Sequence, residues 1–323
     1  MRVGFLGTGW IGRHRMAAMI EAGAIEAAAY ADPSDEMAAE AARIAPNAKR
    51  VGDLDDLLAE GLDGVVIATP SAFHAEQSIR ALEAGVAVFC QKPLGRTAGE
   101  VSAVVEAARD ADRLLGLDLS YRQTAAMQAI RPLIRGGDLG RIAAVDLVFH
   151  NAYGPGKSWF FDPAQSGGGC VIDLGVHLVD LALWALDWPE IADVRSRLLA
   201  KGRPLGSGQC EDYALATLTT AEGQAISLAC SWNLPAGREA IIGARFYGEG
   251  QGAGFHNVGG SFFDFVAERY RETASDPLSG PPDEWGGRAA ADWACRLAAG
   301  ERYDAEAERF VDVAKVLDRI YGR

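Results

Sequence analysis

The sequence predicts two domains: a doubly wound α/β domain with a parallel sheet over residues 1–120, and an α+β domain with a large, mostly antiparallel sheet over 121–323. Three observations predict it. The length, 323 residues, is about two ordinary domains. Short apolar runs alternate with helix-length segments through the first third. Past residue 120 that alternation stops and long β-patterned runs take over.

Taken in order, 3–6 is an apolar strand ending in glycines, 11–22 a helix closed by Gly23, and 26–31 a strand ending at Asp32. An Ala- and Glu-rich helix follows at 34–44, then an acidic stretch at 53–58. Residues 64–68 form a strand, 75–84 a helix closed by Gly85, and 86–90 the next strand. A helix at 99–111 and a strand at 114–119 complete the series. These strands are apolar without alternation, as expected where helices cover both faces. In the second part, 142–151, 191–199, 211–219, 224–233 and 239–247 are β-patterned, and Gly223 suits a hairpin turn over 219–223. Two terminal helices fit 286–299 and 305–321, where Phe310, Val313, Leu317 and Ile320 recur at helical spacing. Pro277, Gly280, Pro281 and Pro282 make 275–284 the most irregular stretch.

Hydrophobic residues at 49% and charged residues at 23% are ordinary for a globular protein. The net charge of −13 repels phosphate backbones and anionic lipid, which argues against a nucleic-acid or membrane-surface role. A small anionic ligand held by local dipoles stays compatible. Cys90, Cys170, Cys210, Cys230 and Cys295 form no CxxC pair, so they are expected as buried thiols in a reducing compartment. No uninterrupted apolar run reaches the roughly 18 residues of a spanning helix, and no leader pattern opens the chain. The expected location is cytoplasmic.

Gly7-Thr8-Gly9-Trp10-Ile11-Gly12 matches G-x-G-x-x-G directly after a strand and at the start of a helix. Gly7 allows the tight turn, Gly9 a close approach of the backbone to a pyrophosphate, and Gly12 close packing of helix on strand. Asp32 ends the next strand, about 20 residues on, where a ribose-binding acid is expected. An acid there repels a 2′-phosphate, so NAD is favoured over NADP, although Ser34 and the more distant Arg43 leave room for NADP. Thr69 and Pro70 follow one strand and Gln91-Lys92-Pro93 the next, at the edge where a cofactor lies in an open parallel sheet. Thr69, Pro70, His74 and Gln91 are therefore cofactor-side candidates; His74 could instead cap the following helix. Further on, Asp173, His177 and Asp180 stand at i, i+4 and i+7 after Gly167-Gly168-Gly169, on one face of a helix. A histidine beside a carboxylate is a general-base candidate. No further His or Cys at ligand spacing supports a metal there.

As a set and in this order, the Gly7–Gly12 motif, Ala68-Thr69-Pro70-Ser71-Ala72-Phe73-His74, Gln91-Lys92-Pro93 and Gly167-Gly168-Gly169 with Asp173, His177 and Asp180 resemble the glucose–fructose oxidoreductase / inositol dehydrogenase / MocA family. The resemblance runs over essentially the whole chain. It implies a Rossmann domain, an open-faced sheet in the second domain used for homodimer or homotetramer contacts, and NAD(P)-dependent oxidation or reduction of a sugar, cyclitol or related polyol. Lys92, Asp173 and His177 correspond to the family's catalytic lysine, aspartate and histidine. One position departs: the family has Glu-Lys-Pro where this chain has Gln91, which removes a negative charge beside Lys92.

The resulting expectation is hydride transfer from a secondary alcohol. His177 removes the hydroxyl proton, Lys92 stabilises the same oxygen, and Asp173 orients His177 or binds a neighbouring hydroxyl. Gly7, Thr8, Gly9, Trp10, Ile11 and Gly12 hold the pyrophosphate and Asp32 the ribose. Arg122, Asn151, Tyr153, Trp159 and Asn233 are substrate-side candidates, because sugar faces stack on aromatic rings and hydroxyls need polar partners. Two rivals use the same fold: a non-catalytic dinucleotide-sensing regulator, against which the intact Lys/Asp/His set argues, and an NADPH-dependent carbonyl reductase, against which Asp32 argues.

Overall fold

The computed structural model describes all 323 residues. In chain order the first elements are β1 (Arg2–Leu6), α1 (Trp10–Glu21), β2 (Glu26–Ala31), α2 (Asp35–Ile44), β3 (Lys49–Arg50), α3 (Leu54–Leu58), β4 (Gly64–Ile67), α4 (Ser71–Glu83), β5 (Ala87–Cys90), α5 (Ala98–Asp110) and β6 (Leu115–Leu117). There follow α6 (Ala125–Arg135), β7 (Ile142–Asn151), α7 (Pro163–Ser166), a π turn (Val171–Gly175) running into α8 (Val176–Ala185), β8 (Ile191–Ala200), β9 (Arg203–Pro204), β10 (Tyr213–Thr220), β11 (Ala225–Ser231) and β12 (Ala240–Gly248). The chain closes with β13 (Gly252–Asn257), β14 (Phe265–Arg271), β15 (Ala274–Ser279), α9 (Arg288–Ala298) and α10 (Glu308–Tyr321).

Two compact units result: residues 1–118 with 287–312, and residues 119–286 with 313–323. The first holds a parallel sheet of order β3-β2-β1-β4-β5-β6. Its connections reverse between β1 and β4, so the glycine turn after β1 and the Thr69 turn after β4 share one edge, the switch point of a Rossmann sheet. Side chains cap three helices here: Ser34 accepts from the Met37 N–H, Asp53 from the Asp56 N–H and Thr97 from the Glu100 N–H. The helix that the sequence places at 286–299 packs in this unit. Trp293 of α9 lies 5.8 Å from the Phe89 ring, and a Cβ at Gly64 or Gly116 would meet its indole at 2.7 or 2.6 Å. Two glycines thus make the trough in the sheet that receives the indole.

The second unit holds nine strands in the order β15-β14-β13-β12-β7-β11-β10-β8-β9, antiparallel except for the β7–β11 pair. The five β-patterned runs are present, and Gly223 closes the β10–β11 hairpin at φ +86°. Three further strands follow β12. Part of the stretch expected to be irregular is β15, paired with β14 at the sheet edge despite Pro277; an edge strand tolerates a missing N–H on its outer side. Helix α6, which the sequence does not announce strongly, is capped by Thr124 and buries Ala126, Met127 and Ile130. All ten residues of α8 are buried, so it is apolar all round rather than striped. The stretch Pro163–Ala185 has the length and composition of a membrane span, but 89% of its apolar window is buried inside the fold, as in a core helix. Along β10, Ala214, Ala216, Leu218 and Thr220 point inward while Leu215, Thr217 and Thr219 stay exposed, leaving one sheet face open.

Candidate active site

In the first unit the glycine turn is held by contacts that no larger residue allows. Gly7 has φ +85°, and a Cβ there would lie 2.6 Å from the Ala68 carbonyl oxygen. A Cβ at Gly12 would lie 2.2 Å from the Gly7 carbonyl oxygen. Gly9 begins α1 without any side-chain cap, so the first-turn N–H groups of Trp10, Ile11 and Gly12 present positive potential. Asp32 ties the turn to the end of β2: its Oδ2 accepts the Thr8 N–H at 2.7 Å and its Oδ1 the Ser34 N–H at 2.9 Å. Each carboxylate oxygen keeps a second lone pair for a ribose hydroxyl. These residues fit a dinucleotide. Arg43 pairs with Glu40 on the surface, whereas Arg13 donates to the Thr8 carbonyl at 2.7 Å and Arg50 to that of Asp32 at 3.4 Å.

Around Lys92 the side chains bind one another. His74 sits buried with Nδ1 2.6 Å from the Pro93 carbonyl oxygen and Nε2 2.7 Å from that of Thr69. It lies inside α4, whose start after Pro70 has no side-chain cap, and it ties the two turns that follow β4 and β5. Burial lowers its pKa, keeping the ring neutral. Thr69 donates its hydroxyl to Gln77. Gln91 donates from Nε2 to Asp118 Oδ2 at 2.6 Å, and Arg15 Nε donates to the same oxygen at 2.6 Å. Asp118 was not visible as a candidate from sequence. Trp10 is 62% exposed and tilts against His14.

In the second unit the π turn carries Asp173 and delivers His177 into α8, and such wide turns concentrate at functional sites. The turn alters the helical register that the i, i+4, i+7 spacing assumes, and the three side chains meet three different partners. Asp173 Oδ2 accepts from Trp232 Nε1 at 3.0 Å. His177, 7% exposed, packs against the Tyr121 ring at 4.8 Å and faces Phe149 at 6.4 Å. Asp180 is clamped by the Arg122 guanidinium through both oxygens. Burial still pushes the Asp180 carboxyl above the usual range, with Arg122 pulling it back. Arg122, expected on the substrate side, engages Asp180 through Nε and Nη2 and lies over the Trp184 and Trp188 rings.

The glycines before the π turn have a local cause. Glu211, fully buried, accepts the N–H groups of Gly169 and Val171 and the Tyr321 hydroxyl, and a Cβ at Gly169 would stand 2.0 Å from the Glu211 carbonyl oxygen. The protein's own carboxylate therefore fills the helix start. Near the ends of β7 and β11, which run parallel, the substrate-side candidates gather. Asn151 keeps a buried Oδ1 and Trp159 a buried Nε1 without a hydrogen-bond partner. Trp159 stacks on Phe160 at 3.8 Å, and Phe160 and Phe161 stand edge-on to Trp232. Asn233, at φ +56°, lies close enough to Gly154 that a Cβ there would meet its amide at 3.0 Å. Tyr153 is largely exposed and donates to Glu239.

Residues 1–119 match the GFO/IDH/MocA oxidoreductase family, NAD-binding Rossmann fold, and residues 127–252 match the GFO/IDH/MocA C-terminal domain. The chain belongs to the Gfo/Idh/MocA family. Its relatives in that family include a D-glucoside 3-dehydrogenase of Escherichia coli, 30% identical over 61% of this chain and 60% of that protein. A levoglucosan dehydrogenase of Pseudarthrobacter phenanthrenivorans is 32% identical over 60% of this chain and 50% of that protein. An inositol 2-dehydrogenase of Rhodococcus erythropolis is 27% identical over 98% of this chain and 84% of that protein. The matched stretch thus spans only 60%, 56% and 50% of the length of the D-glucoside 3-dehydrogenase, a 1,5-anhydro-D-fructose reductase of Ensifer adhaerens and the levoglucosan dehydrogenase. Among solved structures, a levoglucosan dehydrogenase complex with NADH and L-sorbose superposes at TM-score 0.85 and 23% identity, over 100% of this chain and 96% of that one. A 3-ketoreductase of Actinomadura kijaniata with NADP reaches 0.84 at 20% identity, over 100% and 97%. At these identities the Gfo/Idh/MocA structures establish the shared fold.

Proposed function

We propose that this chain is an NAD-dependent dehydrogenase that oxidises a secondary alcohol of a sugar, cyclitol or related polyol. The observation that carries it is the buried His177 at the start of α8, directly after the π turn that carries Asp173, in a chain whose other unit closes a glycine turn on Asp32. Bound NAD supplies the hydride acceptor. The first-turn N–H groups of α1 hold the pyrophosphate, and the Asp32 carboxylate holds the ribose hydroxyls. His177 takes the proton from the hydroxyl oxygen as the hydride leaves the carbon that bears it. Lys92 hydrogen-bonds the oxygen and stabilises the negative charge that develops on it. Asp173, which accepts from the Trp232 indole, orients His177 or binds a neighbouring hydroxyl.

A polyhydroxylated substrate suits the second unit because Asn151 Oδ1 and Trp159 Nε1 are buried polar atoms in want of partners, set among aromatic rings. The cytoplasmic location and a homodimer or homotetramer belong to the same proposal. Supporting the latter, the sheet's open face exposes Leu215 and Tyr247. The decisive assay follows nicotinamide absorbance with a panel of sugars and cyclitols, NAD and NADP in parallel. Turnover with NAD is expected; NADH binding without turnover of any polyol defeats the proposal. Light scattering on the same preparation should give two or four copies, and a monomer would remove the assembly from it.

A further inference from the structure

We propose that Asp118 is a positioning residue for Lys92, acting through the Gln91 side chain; this rests on the dehydrogenase assignment above. Gln91 and Asp118 follow the neighbouring parallel strands β5 and β6, and Arg15 reaches them from α1; all three are buried. The backbone is pinned at the same place, with the Gln91 N–H donating to the Ile67 carbonyl at 2.9 Å and the Asp118 N–H to that of Cys90 at 3.0 Å. Asp118 Oδ2 gathers both side-chain donors at 2.6 Å, while Oδ1 stays buried without a partner.

This geometry accounts for the amide at position 91. A carboxylate there would face the Asp118 oxygen at hydrogen-bond distance, and two carboxylates so close cannot both stay ionised. The negative charge missing from position 91 has moved to the next strand end, where Arg15 balances it. The Lys92 turn is then held on both flanks: Gln91 by Asp118 before it, and the Pro93 carbonyl by His74 after it. A lysine fixed at both neighbours presents its amine from a single backbone position, and hydrogen-bond catalysis depends on that placement.

The test uses full-length Asp118→Asn, Gln91→Glu and the double Gln91→Glu/Asp118→Asn. Each is measured for melting temperature, NADH affinity by fluorescence titration, and kcat and KM with a polyol the wild type oxidises. Each single change is expected to lower kcat about tenfold or more while NADH affinity moves less than about threefold. The double variant restores one acid and one amide at the contact and should recover most of kcat. If one single variant fails to fold, the other and the double decide. An Asp118→Asn kcat within about twofold of wild type overturns the role of Asp118 and leaves the dehydrogenase standing. Losses in the singles with no recovery in the double also overturn it. A wild type that binds NADH and oxidises no polyol overturns both.

Discussion

The residues that flank Lys92 are held by the protein itself. His74 and Gln91 were expected to face the cofactor, yet their polar atoms hold the protein: one the carbonyls of Thr69 and Pro93, the other Asp118. Both therefore act by fixing the turn that carries the lysine. Replacing Lys92 with Ala should lower kcat by about 10²–10⁴ while NADH affinity stays within about threefold, because the amine serves the reacting oxygen and not the dinucleotide. Steady-state kinetics beside a fluorescence titration checks this, and an unchanged kcat would remove Lys92 from the mechanism. His177 is held by ring contacts with Tyr121 and Phe149. Nothing local in the sequence distinguishes Tyr121, Trp232 and Glu211 from packing residues.

At the scale of elements, the glycine turn and the π turn differ in how they read from sequence. The G-x-G-x-x-G pattern is legible because two of its glycines answer clashes within a few residues or with the adjacent strand: Gly12 with Gly7, Gly7 with Ala68. Gly12→Ala should push α1 off the strand, at an overpacking cost of about 1–3 kcal/mol, and weaken NADH binding about tenfold or more. Wild-type affinity in that variant would show that the turn does not serve a dinucleotide. The π turn is not legible: nothing in the run Val171-Ile172-Asp173-Leu174-Gly175 separates a wide helical turn from an ordinary one. Hence Asp173, His177 and Asp180 look like one face in the sequence and part company in the fold. The strands β13 to β15 escaped for a similar reason. Gly252 and Gly254 of β13 and Asp276 and Pro277 of β15 carry weak strand propensity, which pairing with β14 between them makes good.

For the molecule as a whole, buried carboxylates set the expected response of stability to pH. Burial raises the Glu211 carboxyl above its ordinary value near 4.5, with the Val171 N–H and the Tyr321 hydroxyl among the groups that pull it back. The folded chain then holds that proton more tightly than the unfolded chain, so folding stability falls as pH climbs from about 4.5 through the raised value. Asp180 contributes with the same sign. Glu211→Gln lacks the titration, so its melting temperature relative to wild type should rise across that window and level off above it. Parallel melting curves at all pH values would contradict the assignment. The variant also bears on the C-terminus, since Tyr321 of α10 donates to Glu211.

Short-range order in the chain accounts for the alternation of strands and helices to residue 120, the glycine turn with Asp32 and the β10–β11 hairpin. Each follows from periodicity, turn chemistry or spacing, which neighbouring residues carry among themselves. Tertiary structure decided the partners. Gln91 meets Asp118 27 residues away, Gly169 meets Glu211 42 away, and Asp173 meets Trp232 59 away. It also seated α9 in the first unit, through Trp293 on the glycines of β4 and β6. Such contacts arise because buried polar groups and large rings must find complements somewhere in the fold, and no local pattern says where.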